Sequence, residues 1–394
     1  MTFDELTAEE FTKFALAQSN VSFAQTAEYV FHASRDGAKT AFLGVRSDDR
    51  IVLGGLMTWP YGFSGANFYC GPIGDLDQEK ILRVFVQGLR KWSGRHGISH
   101  VKLNPIDIIR TRDASGKILN ENLAAENNLK NCGFKKTGAK VTPHFVYIKN
   151  LAKFDTLETL FKSFSASTKA MINGAEKNCI SLKKLTRKQL PRLEKLMEDS
   201  AARQDFKARG VYFQESLFDT FAQSPNFEVD FLVAEMDVKK LQKSYEKRMR
   251  ELKKAIQVAG SEGMQNELNS QLAGLRSRQS LLSDAGADKV DVAAGVFVKS
   301  SRETVYLFAG NDPKYLKFNA IYLMIWREMQ EAFENKVPLF NFYGIEGKFD
   351  GSDGILGYKK GFNGVVQEYL GQWILVTNPL KYNSVRALKK LRRG

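Results

Sequence analysis

Residues 339–376 read LFNFYGIEGKFDGSDGILGYKKGFNGVVQEYLGQWILV, and they decide the fold. LFNFYG (339–344) has the Leu, Phe and Tyr content of a strand. GYKKGFNG (357–364) sets two lysines before a Gly-Phe turn, and VVQEYLGQWILV (365–376) returns to strand composition. Working backwards, a helix spans 315–334. Three strands precede it: FLVAEM (231–236), VAAGVFVK (292–299) and TVYLFAG (304–310).

The first half repeats this order. Strands FLGVR (42–46), RIVLGGLMTWP (50–60) and ANFYCGPI (66–73) lead to a helix across 78–94. Strand HVKLN (100–104), a helix ending at NCGF (131–134) and a strand in PHFVYIK follow. Gly55/Gly295, Asn104/Tyr343 and Gly133-Phe134/Gly361-Phe362 recur 240, 239 and 228 positions apart. Antiparallel strands, then helix, strand, helix and a Gly-Phe turn, describe the acyltransferase layout of the GNAT class. The expected fold is therefore α/β (α+β), with two GNAT-like domains in tandem.

One segment falls outside the repeat. From Leu241 the apolar positions run Tyr245, Met249, Leu252 and Ile256. AGSEG (259–263) interrupts them, and Leu268, Leu272, Leu275 and Leu282 resume the pattern. This a/d-like seam predicts an antiparallel coiled-coil hairpin that packs mainly on itself, inserted between neighbouring strands. The expected domains are 1–150; 151–237 with 286–394; and the arm, 238–285.

The 394 residues, 43% hydrophobic and 26% charged, exclude wholesale disorder. The longest uninterrupted apolar run, Ala320 to Trp326, is far short of the roughly 20 residues a spanning helix needs. The acidic start, with the helix-capping pattern Thr7-x-x-Glu10, is unlike a secretory signal, so a cytoplasmic protein is expected. Three cysteines, Cys70, Cys132 and Cys179, make no disulfide framework. His96-x-x-x-His100 has helical spacing but no accompanying ligands, and no metal site is expected.

Charge is concentrated. Segments 162–188, 239–282 and 381–394 together carry +18, against +14 for the whole chain. Such clusters suit a polyanion or an anionic membrane surface, and equally suit solvated helix faces. The acyl-CoA loop of the GNAT class, [QR]-x-x-G-x-[GA] at a helix N-terminus, is absent from both halves; QVAGSE (257–262) is the nearest match and lies in the hairpin turn. The fold suggests acyl transfer, and the missing loop suggests a donor other than acyl-CoA.

Seven segments carry a family resemblance: FAQTAEY (23–29), FYCGPIGDL (68–76), HVKLNP (100–105), STKAMINGAEKNCISLKKL (167–185), LMEDSAARQDFKARGVYF (196–213), NFYGIEGKF (341–349) and GYKKGFNGVVQEYLGQW (357–373). In this order, with the arm in place, the chain resembles the FemABX family of peptidoglycan bridge aminoacyltransferases. The resemblance implies transfer of an amino acid from aminoacyl-tRNA to an amine of the peptidoglycan precursor, lipid II or its UDP-linked muramyl pentapeptide form. It implies no cofactor: neither acyl-CoA nor metal. It also implies tRNA, the precursor, the anionic inner membrane leaflet and other family members as partners.

By the same resemblance Lys359, in Tyr358-Lys359-Lys360-Gly361-Phe362, is the catalytic candidate, a donor to the oxyanion of the tetrahedral intermediate. Tyr358 and Lys360 beside it, with Lys247, Arg250 and Lys254 on the arm, are expected to meet tRNA. Arg209, whose fork suits a pyrophosphate, and Tyr212 are expected to meet the precursor, with Arg203 as a weaker companion. Departures from the family pattern fall at Asn104, where Asp usually precedes proline, and at Cys70, where Arg usually precedes Gly-Pro. His32 and Arg35 stand where a phosphate-binding Lys is usual, and Asn104, His32 and Arg35 complete the expected precursor set. The alternatives are an acyl-CoA acetyltransferase, a tRNA-dependent transferase with a lipid or protein acceptor, and a non-catalytic scaffold whose arm binds a partner.

Overall fold

A computed structural model describes residues 1–19, 21–60, 65–141, 143–204 and 210–391. Its contacts divide the chain into two compact units. One comprises Met1–Asn150, Ser216–Glu228 and Asn341–Gly394, the other Leu151–Glu215 and Val229–Phe340.

The first unit opens with β1 (Thr2–Leu6) and α1 (Ala8–Ala17), whose N-terminus Thr7 and Glu10 cap reciprocally. Next come α2 (Tyr29–Ser34), β2 (Lys39–Ser47), β3 (Arg50–Trp59), β4 (Gly65–Phe68), β5 (Ile73–Gly74), α3 (Glu79–Arg95) and β6 (His100–Leu103). A hairpin of β7 (Ile108–Arg112) and β8 (Ile118–Glu121), then α4 (Ala124–Asn131), β9 (Lys135–Lys136) and β10 (Phe145–Asn150), complete this stretch. The sheet runs β1–β2–β3–β4–β6, and β4 and β6 lie parallel. Helix α3 places Ile81, Leu82, Phe85, Leu89 and Trp92 in one core with Leu43, Leu53, Phe68 and Leu103, as its three-and-four spacing dictates.

The second unit contains α5 (Leu157–Lys162), α6 (Ala166–Glu176), β11 (Ile180–Lys184) and α7 (Leu190–Gln204). After α8 (Val211–Phe221), whose residues from Ser216 onward belong to the first unit, come β12 (Glu228–Asp237), α9 (Val238–Gln257), α10 (Glu262–Ser283), β13 (Lys289–Lys299), β14 (Glu303–Asn311) and α11 (Ala320–Glu334). Its strands follow the order β11–β12–β13–β14. Helices α9 and α10 contact one another, and Leu241, Tyr245, Leu252, Leu272 and Leu282 of the expected seam are buried. The arm does not pack on itself alone. The Tyr245 hydroxyl donates to Asn178 Oδ1 at 3.0 Å, and Asn178 Nδ2 donates to the Phe318 carbonyl at 3.1 Å. Its base therefore belongs to the body of the unit.

Strand β15 (Leu339–Ile345) carries the chain back into the first unit, followed by α12 (Gly354–Lys359), β16 (Val365–Tyr369), β17 (Trp373–Val376) and α13 (Pro379–Leu391). VVQEYLGQWILV is two strands rather than one, broken at Gly371, which takes a left-handed φ of +73°. The break lets one segment serve two sheets: β16 pairs with β10 and β7, whereas β17 pairs with β6 and β9. The compact units consequently depart from the expected boundaries, because these ladders tie 341–394 to 1–150. No helix among the described residues is long and apolar enough to cross a membrane.

Candidate active site

Lys359 ends α12, a short helix that Asp353 initiates. Asp353 accepts from the N–H groups of Ile355 and Leu356 at 3.0 and 2.9 Å, and from that of Glu346 at 2.8 Å. The helix is pinned behind Lys359 by Phe362, fully buried with its ring 5.0 Å from that of Phe342. Only 4% of Lys359 is exposed, and its Nζ donates to the carbonyls of Phe342 (2.7 Å) and Gly344 (2.8 Å). Burial pushes this amine down to about 7, with the Asp353 carboxylate opposing the shift. The sequence expectation was a donor free to reach an oxyanion. The structure directs the donors into the backbone of β15.

Between the two gripped carbonyls lies Tyr343, with φ at +63°, a conformation uncommon for an aromatic residue. Its N–H donates to Asn341 Oδ1 at 2.8 Å, and its hydroxyl lies 3.2 Å from that of Tyr69. Tyr69 follows β4, and burial raises its hydroxyl well above the usual tyrosine range. Gln25 fixes the backbone there. Its Nε2 donates to the Tyr69 carbonyl (2.7 Å) and the Leu56 carbonyl (3.2 Å), and its Oε1 accepts from the Leu56 N–H (2.7 Å). A Cβ at position 71 would stand 2.6 Å from Gln25 Cδ, so the Gly of Gly-Pro is sterically required.

On the neighbouring parallel strand, Phe68 pairs with Leu103, and the Asn104 N–H donates to the Phe68 carbonyl at 3.3 Å. Tyr69 and Asn104 thus succeed the C-terminal ends of two adjacent parallel strands, a common location for ligand sites in such sheets. Asn104 is buried, and its Nδ2 has no hydrogen-bond acceptor among the described residues. The opening motif, the Gly-Pro strand, the Asn-Pro turn, NFYG and YKKGF are joined by these contacts within one unit.

Other expected residues are distributed more widely. Tyr358 is half-buried and Lys360 exposed, flanking Lys359. His32 is buried beside the Tyr29 ring, 5.1 Å between centroids, and does not present a surface for phosphate. Arg35 is partly exposed, donates to the His32 carbonyl at 2.8 Å and pairs with Asp36. Tyr212 is exposed on α8 in the second unit. Lys247, Arg250 and Lys254 are exposed on one face of α9 in that unit. Arg209 lies outside the described residues, as do the surroundings of the Arg203 side chain.

Sequence reasoning missed the roles of Gln25, Tyr69, Tyr343 and Asp353, although all four stand inside or beside segments it singled out. It also missed Asp107, two residues beyond Pro105, whose carboxyl burial, reinforced by the Asp77 charge, pushes up to about 7. In the second unit, Asp230, Glu328 and Glu331 could meet at one cation. The Lys299 ammonium already lies 2.7–2.9 Å from an oxygen of each. These carboxylates line a cavity of about 550 Å³, and burial pushes Glu328 up to about 7 against the pull of Lys299.

The sequence profile of the FemAB family matches residues 6–390. The chain belongs to the FemAB family. It is similar to Aminoacyltransferase FemA of Staphylococcus epidermidis, 25% identical with both chains covered entirely, and to Aminoacyltransferase FemA of Staphylococcus aureus, 26% identical over 100% of this chain and 99% of that one. Among solved structures, that of FemX has a TM-score of 0.74 at 15% identity, covering 98% of this chain and 100% of the other. A tandem GNAT protein from the clavulanic acid biosynthesis pathway has a TM-score of 0.54 at 9% identity, covering 96% and 98%. The tandem GNAT-like fold expected from the strand order is thus shown, and this FemAB-family chain is an aminoacyltransferase.

Proposed function

We propose that this FemAB-family enzyme moves an amino acid from aminoacyl-tRNA onto an amine of the peptidoglycan precursor stem peptide, building the interpeptide bridge. The observation that carries the reading is the joining of five family-like segments around Lys359, Tyr343, Tyr69 and Asn104 in one unit. An ester between an amino acid and a tRNA ribose is already activated, so the transfer needs no ATP, metal or covalent intermediate. The acceptor is the obstacle. In water only on the order of one lysine-like amine in a thousand is neutral at pH 7, and a dry pocket raises that fraction.

Asn104 cannot serve as the carboxylate base that an aspartate there would supply. A proton route through other groups follows from that substitution. The basic face of Lys247, Arg250 and Lys254 suits tRNA phosphates, and the basic helix α13 suits an anionic leaflet at the cytoplasmic side, where lipid II would be met, its nucleotide-linked form being soluble. Arg209, Arg35 and Tyr212 are the proposed precursor contacts.

Incubation with a pool of tRNAs charged with labelled amino acids, together with lipid II and UDP-linked muramyl pentapeptide, tests the proposal by mass spectrometry. A mass increase of one amino acid on either precursor is expected. Label moving only to phospholipid or protein overturns the acceptor, and acetylation from acetyl-CoA without transfer from tRNA overturns the donor.

A further inference from the structure

Two tyrosine hydroxyls are held together by devices that otherwise have no evident purpose. Tyr343 occupies a left-handed backbone conformation, and Cys70, next to Tyr69, does so as well, with φ at +57°. Strain of this kind persists where the surroundings over-determine it. Here Asn341 takes the Tyr343 N–H, Lys359 grips the carbonyls on either side, and Gln25 takes the Tyr69 carbonyl. Lys359 itself is nearly inaccessible, whereas both tyrosines retain some surface. Of these three side chains the tyrosines are the more accessible, and the buried lysine braces the Tyr343 backbone from behind.

We propose that Tyr343 is the proton-transfer residue of this site, with Tyr69 as its hydrogen-bond partner and Lys359 as the positioning residue that sets its backbone. The inference rests on the aminoacyl-transfer reading. In the step it assigns, the acceptor amine nitrogen forms a bond to the ester carbonyl carbon, and the bond from that carbon to the ribose oxygen breaks. The proton lost by the amine passes to the Tyr343 oxygen as the Tyr343 hydroxyl proton passes to the departing ribose oxygen. The tyrosine ends as it began, and no co-reactant is consumed. A hydroxyl that stays neutral can give and take a proton in this way, and Tyr69 holds it in register through the 3.2 Å contact. Asn104, an amide in place of a carboxylate, leaves the proton to be carried by such a relay.

The test compares Tyr343→Phe, Tyr69→Phe, Lys359→Met and the Tyr343→Phe/Lys359→Met double variant, using charged tRNA and the precursor that the wild-type enzyme accepts. Thermal melts confirm the fold. Tyr343→Phe is expected to lower kcat about 10²-fold with both KM values little changed. Lys359→Met is expected to lower it comparably, and the double variant no further, because the lysine acts through the tyrosine. Tyr69→Phe should give a smaller loss. A near-wild-type Tyr343→Phe beside an inactive Lys359→Met, or losses that multiply in the double variant, would overturn the assignment and return the direct role to Lys359. Should Lys359→Met not fold, the two phenylalanine variants decide alone: full activity in Tyr343→Phe sinks the relay. A wild-type enzyme that transfers nothing from charged tRNA defeats the underlying reading instead.

Discussion

Gln25 holds Tyr69 in place: its Nε2 donates to the Tyr69 carbonyl at 2.7 Å and to the Leu56 carbonyl at 3.2 Å, while its Oε1 accepts from the Leu56 N–H. The side chain is fully buried, so no water replaces it. Gln25→Leu leaves the Leu56 N–H and the Tyr69 carbonyl without partners, at about 1–3 kcal/mol each. Urea unfolding should register that loss, and kcat should fall with it as Tyr69 loosens. Unchanged stability would mean that the backbone finds other partners.

Lys359 makes stability pH-dependent with a defined sign. Its amine titrates near 7 in the folded chain and near the ordinary lysine value of 10.5 when unfolded. Between these values the unfolded chain binds the extra proton, so stability rises with pH; below about 7 both states are protonated and the burial cost is fully present. Lys359→Met lacks this dependence. The wild-type stability minus that of the variant should grow from pH 6.5 to 9.5, by at most about 1.4 kcal/mol per unit. A difference flat across that range would exclude the shift.

Lys299 neutralises the buried Asp230 and Glu328 carboxylates and the more exposed Glu331. Lys299→Met strands the buried Glu328 and leaves Asp230 with Lys184 alone, and should cost about 3–5 kcal/mol in denaturant unfolding. Adding Asp230→Asn and Glu328→Gln should recover much of it. A single variant as stable as wild type would show that water reaches the cluster.

Excising 250–272 with a short glycine linker should leave a folded chain with a melting temperature within a few degrees of wild type, because Leu241, Tyr245 and Leu282 remain. Excising 240–284 should be markedly destabilising. It removes the Tyr245–Asn178 bond and uncovers the surface around it. Equal melting temperatures for the two deletions would contradict an anchored arm.

Replacing Lys247, Arg250 and Lys254 together by Ala should weaken tRNA binding and reduce its slope against log salt by about 2–3, the signature of three lost phosphate contacts. The exposed positions predict no loss of stability. An unchanged salt slope would remove the arm from the tRNA-binding surface.

Much of the fold was legible. Strand composition, the repeated Gly-Phe turns and the a/d spacing of 241–282 are local properties, and local properties determine which segments become strands, helices or arm. The β7–β8 hairpin has no clear signal because IIRTR and ILNE are short and interrupted by polar residues; only the ladder to β16 and the grip of Arg110 and Arg112 on Glu368 give it a place. The division at Gly371 also escaped notice, since one flexible residue in an apolar run does not announce that its two sides join different sheets.

Composition and spacing along the chain were enough to mark two GNAT-like repeats with an inserted arm, and to single out Lys359 and Asn104 as candidates. That Lys359 faces inward onto the carbonyls of Phe342 and Gly344, and that Tyr343 meets Tyr69 across 274 positions of chain, emerges from the folded arrangement alone. Periodicity fixes which side of an element is buried. Which distant groups then share a hydrogen bond depends on strand pairing and backbone dihedrals, and neither is encoded at any single position.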